Sequence, residues 1–183
     1  MKKIVLLGDS IRQLGYGKRV EELLGGEYNV WQPAENCRFA KYTLRMLFDY
    51  QEDIKTADIV HWNNGLWDMC DLFGDGAFTS LDEYKKDTLR IASILQEWGC
   101  KLVFATTTPT HPDYKYHSDE RIRHYNEVLV GELKKKGVYI NDLYDAMSTH
   151  KIDGIKEDQL HLNEKGIEIC AKCVVEAIRN VKF

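Results

Sequence analysis

The feature that most limits what this chain can become is an alternation. Short apolar runs at residues 3–7, 29–31, 58–62, 101–106 and 138–140 are separated by longer stretches whose apolar side chains recur at helical spacing. The run Ile4-Val5-Leu6-Leu7 is apolar at every position, with no switch between inward and outward residues. A strand of that kind must be covered on both faces, the condition of a parallel sheet in an α/β protein. The stretches at 16–24, 41–48, 80–98, 118–136 and 163–181 supply the cover. In 80–98, Leu81, Tyr84, Ile91, Leu95 and Trp98 belong to one broad apolar stripe. Lys134, Lys135 and Lys136 ahead of Gly137 read as a helix C-terminus, and Asn163 as the N-cap of the last helix. Strand and helix in alternation predict a three-layer α/β/α sandwich around a central parallel sheet.

The 183 residues suit one domain spanning 1–183. A net charge of -4 lacks the basic field that nucleic acid requires, so no nucleic-acid partner is expected. No run approaches the ~20 apolar residues of a membrane span. The four strongly apolar residues before Gly8 fall short of the roughly 7–15 in a secretory signal, and the expected location is cytoplasmic. The cysteines, Cys37, Cys70, Cys100, Cys170 and Cys173, are odd in number and scattered, so reduced thiols are expected. Cys170-x-x-Cys173 has no second ligand pair, and neither a metal nor another cofactor is expected. A Gly-x-Ser-x-Gly elbow and a phosphate-binding Gly-x-x-x-x-Gly-Lys loop are both absent.

In sheets of this kind ligands sit beyond the carboxyl ends of the strands. Ser10 follows the first run, Asn63 and Asn64 the third, and residues 106–111 the fourth, so all fall on one rim. Gly8 is expected to let the chain turn sharply there. A serine becomes a nucleophile only with a base to take its proton and a third group to orient that base. Asp158-x-x-His161 supplies such a pair just ahead of the last helix. Among the other histidines, His61 lies in an apolar strand and reads as core, while His117, His124 and His150 read as solvated. His111 sits on the rim, as a substrate-pocket residue or a simple loop histidine. Asp9 is placed in the pocket with it. The irregular stretches 68–79 and 107–118 are long enough to suggest function.

Gly8-Asp9-Ser10 near one end and Asp158-x-x-His161 near the other, in this α/β setting, resemble the SGNH/GDSL hydrolase superfamily over nearly the whole chain. The resemblance implies a flavodoxin-like fold with Ser10 as nucleophile, His161 as base and Asp158 as its orienting partner. Ile11 stands where the family name has Leu. The family's third block, Gly-x-Asn-Asp, carries an oxyanion-binding Asn, and this chain reads His61-Trp62-Asn63-Asn64-Gly65-Leu66-Trp67-Asp68, an Asn-Asn-Gly-Leu variant. One alignment puts Trp67 at the oxyanion position; another brings in Asn64, which is preferred, or Asn63. An amide offers two donors and an indole one, so either serves. The second block normally uses a glycine N–H, and residues 32–42 contain no glycine. A backbone N–H at Asn36 or Cys37 is expected in its place. Cys37 beside Arg38 is a rival nucleophile that accounts for fewer residues.

The resemblance implies a cofactor-free serine esterase acting on a small-molecule ester. A carbohydrate O-acetyl ester is preferred, with Trp62, Trp67 and His111 as a stacking wall. Lysophospholipid or thioester hydrolysis is the alternative. Two other readings stay open: a binding protein that keeps the fold without efficient catalysis, and a flavodoxin-like binder of a phosphorylated ligand.

Overall fold

The apolar runs pair into one five-stranded parallel sheet, in a computed structural model that describes residues 1–182. Its strands are β1 (Lys3–Gly8), β2 (Asn29–Trp31), β3 (Ile59–Asn63), β4 (Lys101–Ala105) and β5 (Tyr139–Asn141), in the order β2-β1-β3-β4-β5. β3 is buried throughout, and β1 and β4 are buried beyond their first residues, as their uninterrupted apolarity requires. The edge strands β2 and β5 are short and only partly buried.

A π-helical turn at Arg12–Tyr16 leads into α1 (Gly17–Leu24). The remaining helices are α2 (Ala40–Asp49), α3 (Gln51–Ile54), α4 (Leu66–Met69), α5 (Leu81–Glu97), α6 (Asp119–Lys135), α7 (Leu143–Ser148) and α8 (Glu164–Arg179). α1 and α7 pack with α8 on one side of the sheet, and α2, α5 and α6 pack in sequence on the other. This is the three-layer α/β/α arrangement read from the alternation. α3, α4 and α7 are too short to show a periodic stripe and are not legible that way. Asn163 caps α8 by accepting the Gly166 N–H at 3.1 Å. Ser80 and Glu83 form a reciprocal capping box at the start of α5. Among the described residues no helix is long and apolar enough to cross a membrane.

In this strand order the chain reverses direction across the sheet at β1 and β3, whose carboxyl ends lie side by side. Ligand sites form at such a switch point. Gly8 closes β1 opposite Asn63. It does not make the turn expected of it. A Cβ on Gly8 would lie 2.1 Å from Asn63 Oδ1 and 2.8 Å from Arg12 Cβ, so glycine is needed for close approach. The turn belongs to Asp9, whose carbonyl accepts the N–H groups of Arg12 and Gln13 at 3.1 and 3.0 Å.

Gly8→Ala is therefore expected to destabilise the fold by ~1–3 kcal/mol through overpacking. Gly131, in α6, has open space where its Cβ would be, and Gly131→Ala should stabilise by up to ~1 kcal/mol through helix propensity. Urea unfolding midpoints of the two variants, shifted in opposite directions, are the check.

Candidate active site

Ser10 is nearly buried at the carboxyl end of β1 and opens the helical turn above it. Its N–H is one of those a helix start leaves without an internal partner. His161 comes from the other end of the chain, on a loop that folds back on itself. Ile155 and Leu162 form an antiparallel bridge, and the Lys156 N–H donates to His161 O at 2.7 Å. At the tip Gln159 adopts the left-handed conformation, φ 68°, with its N–H donating to Lys156 O. That tip puts Asp158 and His161 on the same side.

The three side chains meet in line. His161 Nε2 lies 2.9 Å from Ser10 Oγ, and His161 Nδ1 lies 2.8 Å from Asp158 Oδ2. Asp158 Oδ1 accepts the backbone N–H groups of Leu160 and His161 at 3.0 and 2.9 Å. Partial burial raises the Asp158 pKa, but the His161 and Leu160 N–H groups and the imidazole outweigh it and hold the carboxyl below its ordinary value. The ionised carboxylate takes the Nδ1 hydrogen, which leaves the Nε2 lone pair to accept the Ser10 hydroxyl hydrogen.

A buried polar layer supports the serine from below. Asp9 Oδ1 accepts the Ile11 N–H at 2.9 Å and Asn63 Nδ2 at 2.8 Å, and the Tyr16 hydroxyl donates to Asn63 Oδ1 at 2.6 Å. Asp9 Oδ2 has no partner among the described residues. Desolvation pushes the Asp9 pKa up to about 6, against its hydrogen bonds and the positive field of Arg12. Arg12 is itself buried and donates to the carbonyls of Pro33, Gly8 and Glu35 at 2.8, 3.2 and 2.6 Å. It clamps the loop after β2 to the end of β1. The sequence reading missed this layer. Its one signal is that Asp9 and Arg12 flank a serine at the end of a buried strand.

Several expected site residues are engaged by bonds or packing within the protein. Asp9 is beneath the serine, not in a substrate pocket. Asn36 sits in a turn, with its Oδ1 accepting the Arg38 N–H at 2.7 Å. The Cys37 N–H is engaged by Gly8 O at 3.0 Å, so it is not a free oxyanion donor. The Cys37 thiol is buried, its pKa raised by desolvation, and it accepts the Gly8 N–H, a setting unlike that of a nucleophile. Asn64 is fully buried and bridges two elements: its Oδ1 accepts the Thr43 hydroxyl at 3.1 Å and its Nδ2 donates to Arg38 O at 3.0 Å. Trp62 is buried against Phe104 and offers no stacking face. The His111 ring accepts the Asp113 N–H, while its backbone N–H donates to Gln159 O at 3.0 Å. His111 thus braces the loop of Asp158 and His161 through its main chain.

Trp67 does border a cavity beside Ser10 and His161, of about 220 Å³. Leu66, Cys70, Leu72, Tyr114, His117 and Leu160 complete its wall. The two long irregular stretches build it together, joined by the Asp71 N–H to Tyr116 O at 2.8 Å and by Arg121 Nη1 to Met69 O at 3.1 Å. His117 is the main departure among the histidines. It is half-buried: its Nε2–H donates to Leu66 O at 2.7 Å, and burial holds its pKa below the usual value. His61 is a core residue, its pKa pushed down to about 3 by burial, and its Nε2 accepts Asn141 Nδ2 at 3.2 Å.

The sequence matches no protein-family model and no curated protein. Solved structures do share the fold. A lipase/acylhydrolase from Enterococcus faecalis superposes with a TM-score of 0.83 at 19% identity, covering 98% of this chain and 96% of that one. The acetyl xylan esterase AlAXEase gives 0.80 at 21% identity over 96% and 99% of the two chains. The acetylxylan esterase Axe2 from Geobacillus stearothermophilus gives 0.79 at 16% over 99% and 95%. This chain has their fold along almost its whole length.

The raised Asp9 pKa makes a stability prediction. Between pH ~4 and ~6 the folded chain keeps a proton that the unfolded chain releases, so ionising Asp9 costs stability as pH rises. Asp9→Asn removes that cost. Relative to wild type, the variant should gain roughly 1.4 kcal/mol per pH unit across this window and then level off. Urea titrations of both proteins at several pH values between 4 and 8 read the difference directly.

Proposed function

We propose that this chain is a serine ester hydrolase of the SGNH/GDSL type, acting on a small-molecule ester. The observation that carries the proposal is the unbroken line from Asp158 through His161 to Ser10, assembled from opposite ends of the sequence. In this reading Ser10 Oγ attacks the ester carbonyl as its hydrogen passes to His161 Nε2. Asp158 stabilises the resulting imidazolium. The imidazolium returns the proton to the departing alkoxide, leaving an acyl group on Ser10. Water, deprotonated by the same nitrogen, then releases the acid and restores the serine.

The tetrahedral oxyanion needs donors fixed before the reaction. The Ser10 N–H, at the start of its helical turn, is the first. Asn64 is assigned as the side-chain donor, because its amide keeps one hydrogen beyond the one given to Arg38. The carbohydrate acetyl ester draws support only from the two acetyl xylan esterases that share the fold; the cavity beside Ser10 favours a longer acyl group.

Ser10→Ala and His161→Ala should each lower kcat for a p-nitrophenyl ester by at least ~10³-fold while leaving the far-ultraviolet circular dichroism of a folded protein. A fluorophosphonate should add one mass increment to wild type and none to Ser10→Ala. Unchanged turnover in folded Ser10→Ala would remove the serine mechanism.

A further inference from the structure

The cavity beside Ser10 is more apolar than an acetyl group or a sugar ring needs. Leu66, Trp67, Leu72, Tyr114 and Leu160 give it carbon surfaces. Two polar groups of its other wall residues are committed to the protein itself, and His117 Nδ1 is buried without a partner among the described residues. The Cys70 thiol donates to Trp67 O at 3.0 Å, and the His117 Nε2–H donates to Leu66 O. The His117 ring stacks on Tyr114, with centroids 5.3 Å apart and planes at 18°. No aspartate, glutamate, lysine or arginine lines the space. A phosphate would find no cation there, and most hydroxyls of a sugar would be left unpaired at a cost. The apolar surface continues outward along the same loop, where Leu72 is 44% exposed and Phe73 81% exposed.

We propose that this cavity holds the acyl chain of the substrate, and that the chain is of medium length. The proposal rests on Ser10 acting as an ester nucleophile. A methylene takes about the room of one water molecule, roughly 30 Å³. A cavity of about 220 Å³ is several times the room of an acetyl group, which points to medium chains such as hexanoyl and octanoyl esters. An acetyl group would leave most of it empty. Each methylene moved from water into the wall is worth about fourfold in kcat/KM, the equivalent of ~0.8 kcal/mol.

The test is a series of p-nitrophenyl esters from acetate to dodecanoate, below their solubility limits, with wild type and Ser10→Ala side by side. Ser10-dependent kcat/KM should climb about fourfold per methylene from acetate to hexanoate or octanoate, then stop climbing. Leu72→Asp, at the half-exposed rim, should lower the hexanoate-to-acetate ratio at least tenfold. Trp67→Ala, also at an exposed position, should lower it as a second variant. Acetate as the best substrate, with turnover still dependent on Ser10, would overturn the acyl-chain assignment and leave the hydrolase reading standing. An unchanged ratio in both folded variants would overturn it as well. So would a series of alkyl acetates in which lengthening the alcohol, and not the acyl group, raises kcat/KM. Absence of Ser10-dependent turnover for every ester would overturn both the assignment and the hydrolase reading.

Discussion

A short run of buried hydrogen bonds holds the serine turn in place: Tyr16 to Asn63, Asn63 to Asp9, and the Ile11 N–H to Asp9. It exists only because Gly8 has no side chain where the Asn63 amide must lie. Remove that space and β1 and β3 no longer end together with a polar layer between them and the serine. In the low dielectric of the interior such bonds are strong, and each broken one leaves an unpaired group. Asp9 already carries part of that penalty, with one oxygen unpartnered and its pKa raised.

Arg12 completes the support on the opposite flank. Its guanidinium is out of water but faces carbonyl oxygens instead of a carboxylate partner. Those carbonyls belong to the chain just after β2, so the cation ties the neighbouring strand to the end of β1. The loop of Asp158 and His161 is held by bonds of its own. His111 N–H reaches Gln159 O, Lys156 N–H reaches His161 O, and Asn163 donates to Asp153 O while capping α8. Ser10 and His161 are thus fixed by separate sets of bonds and need only 2.9 Å of agreement between them.

The fold was legible because its strands are apolar on both faces and its helices on one. That pattern is local, and burial demands it. Ser10, Asp158 and His161 were legible as well, since a short strand ending in serine and a one-turn Asp-x-x-His spacing are both local features. The surroundings were read less well. Of Asn36 and Cys37, expected by position to offer a backbone oxyanion donor, the Cys37 N–H is spent on Gly8. His117 looked solvated within a polar stretch, and the packing of two loops buries it against Leu66 and Tyr114. His111 read as either a pocket residue or a simple loop histidine, and its backbone N–H bonds to Gln159 O.

By itself the sequence determined the layers, the rim on which chemistry can gather and the residue types able to perform it, because periodicity, strand ends and acid–base complementarity are written in neighbouring residues. Tertiary structure alone decided which polar groups remain free, which histidine in a polar stretch becomes half-buried, and how apolar the space beside Ser10 is. A donor is free only if no distant carbonyl has taken it. A cavity has a character only once two loops, some forty residues apart in the chain, face each other across it.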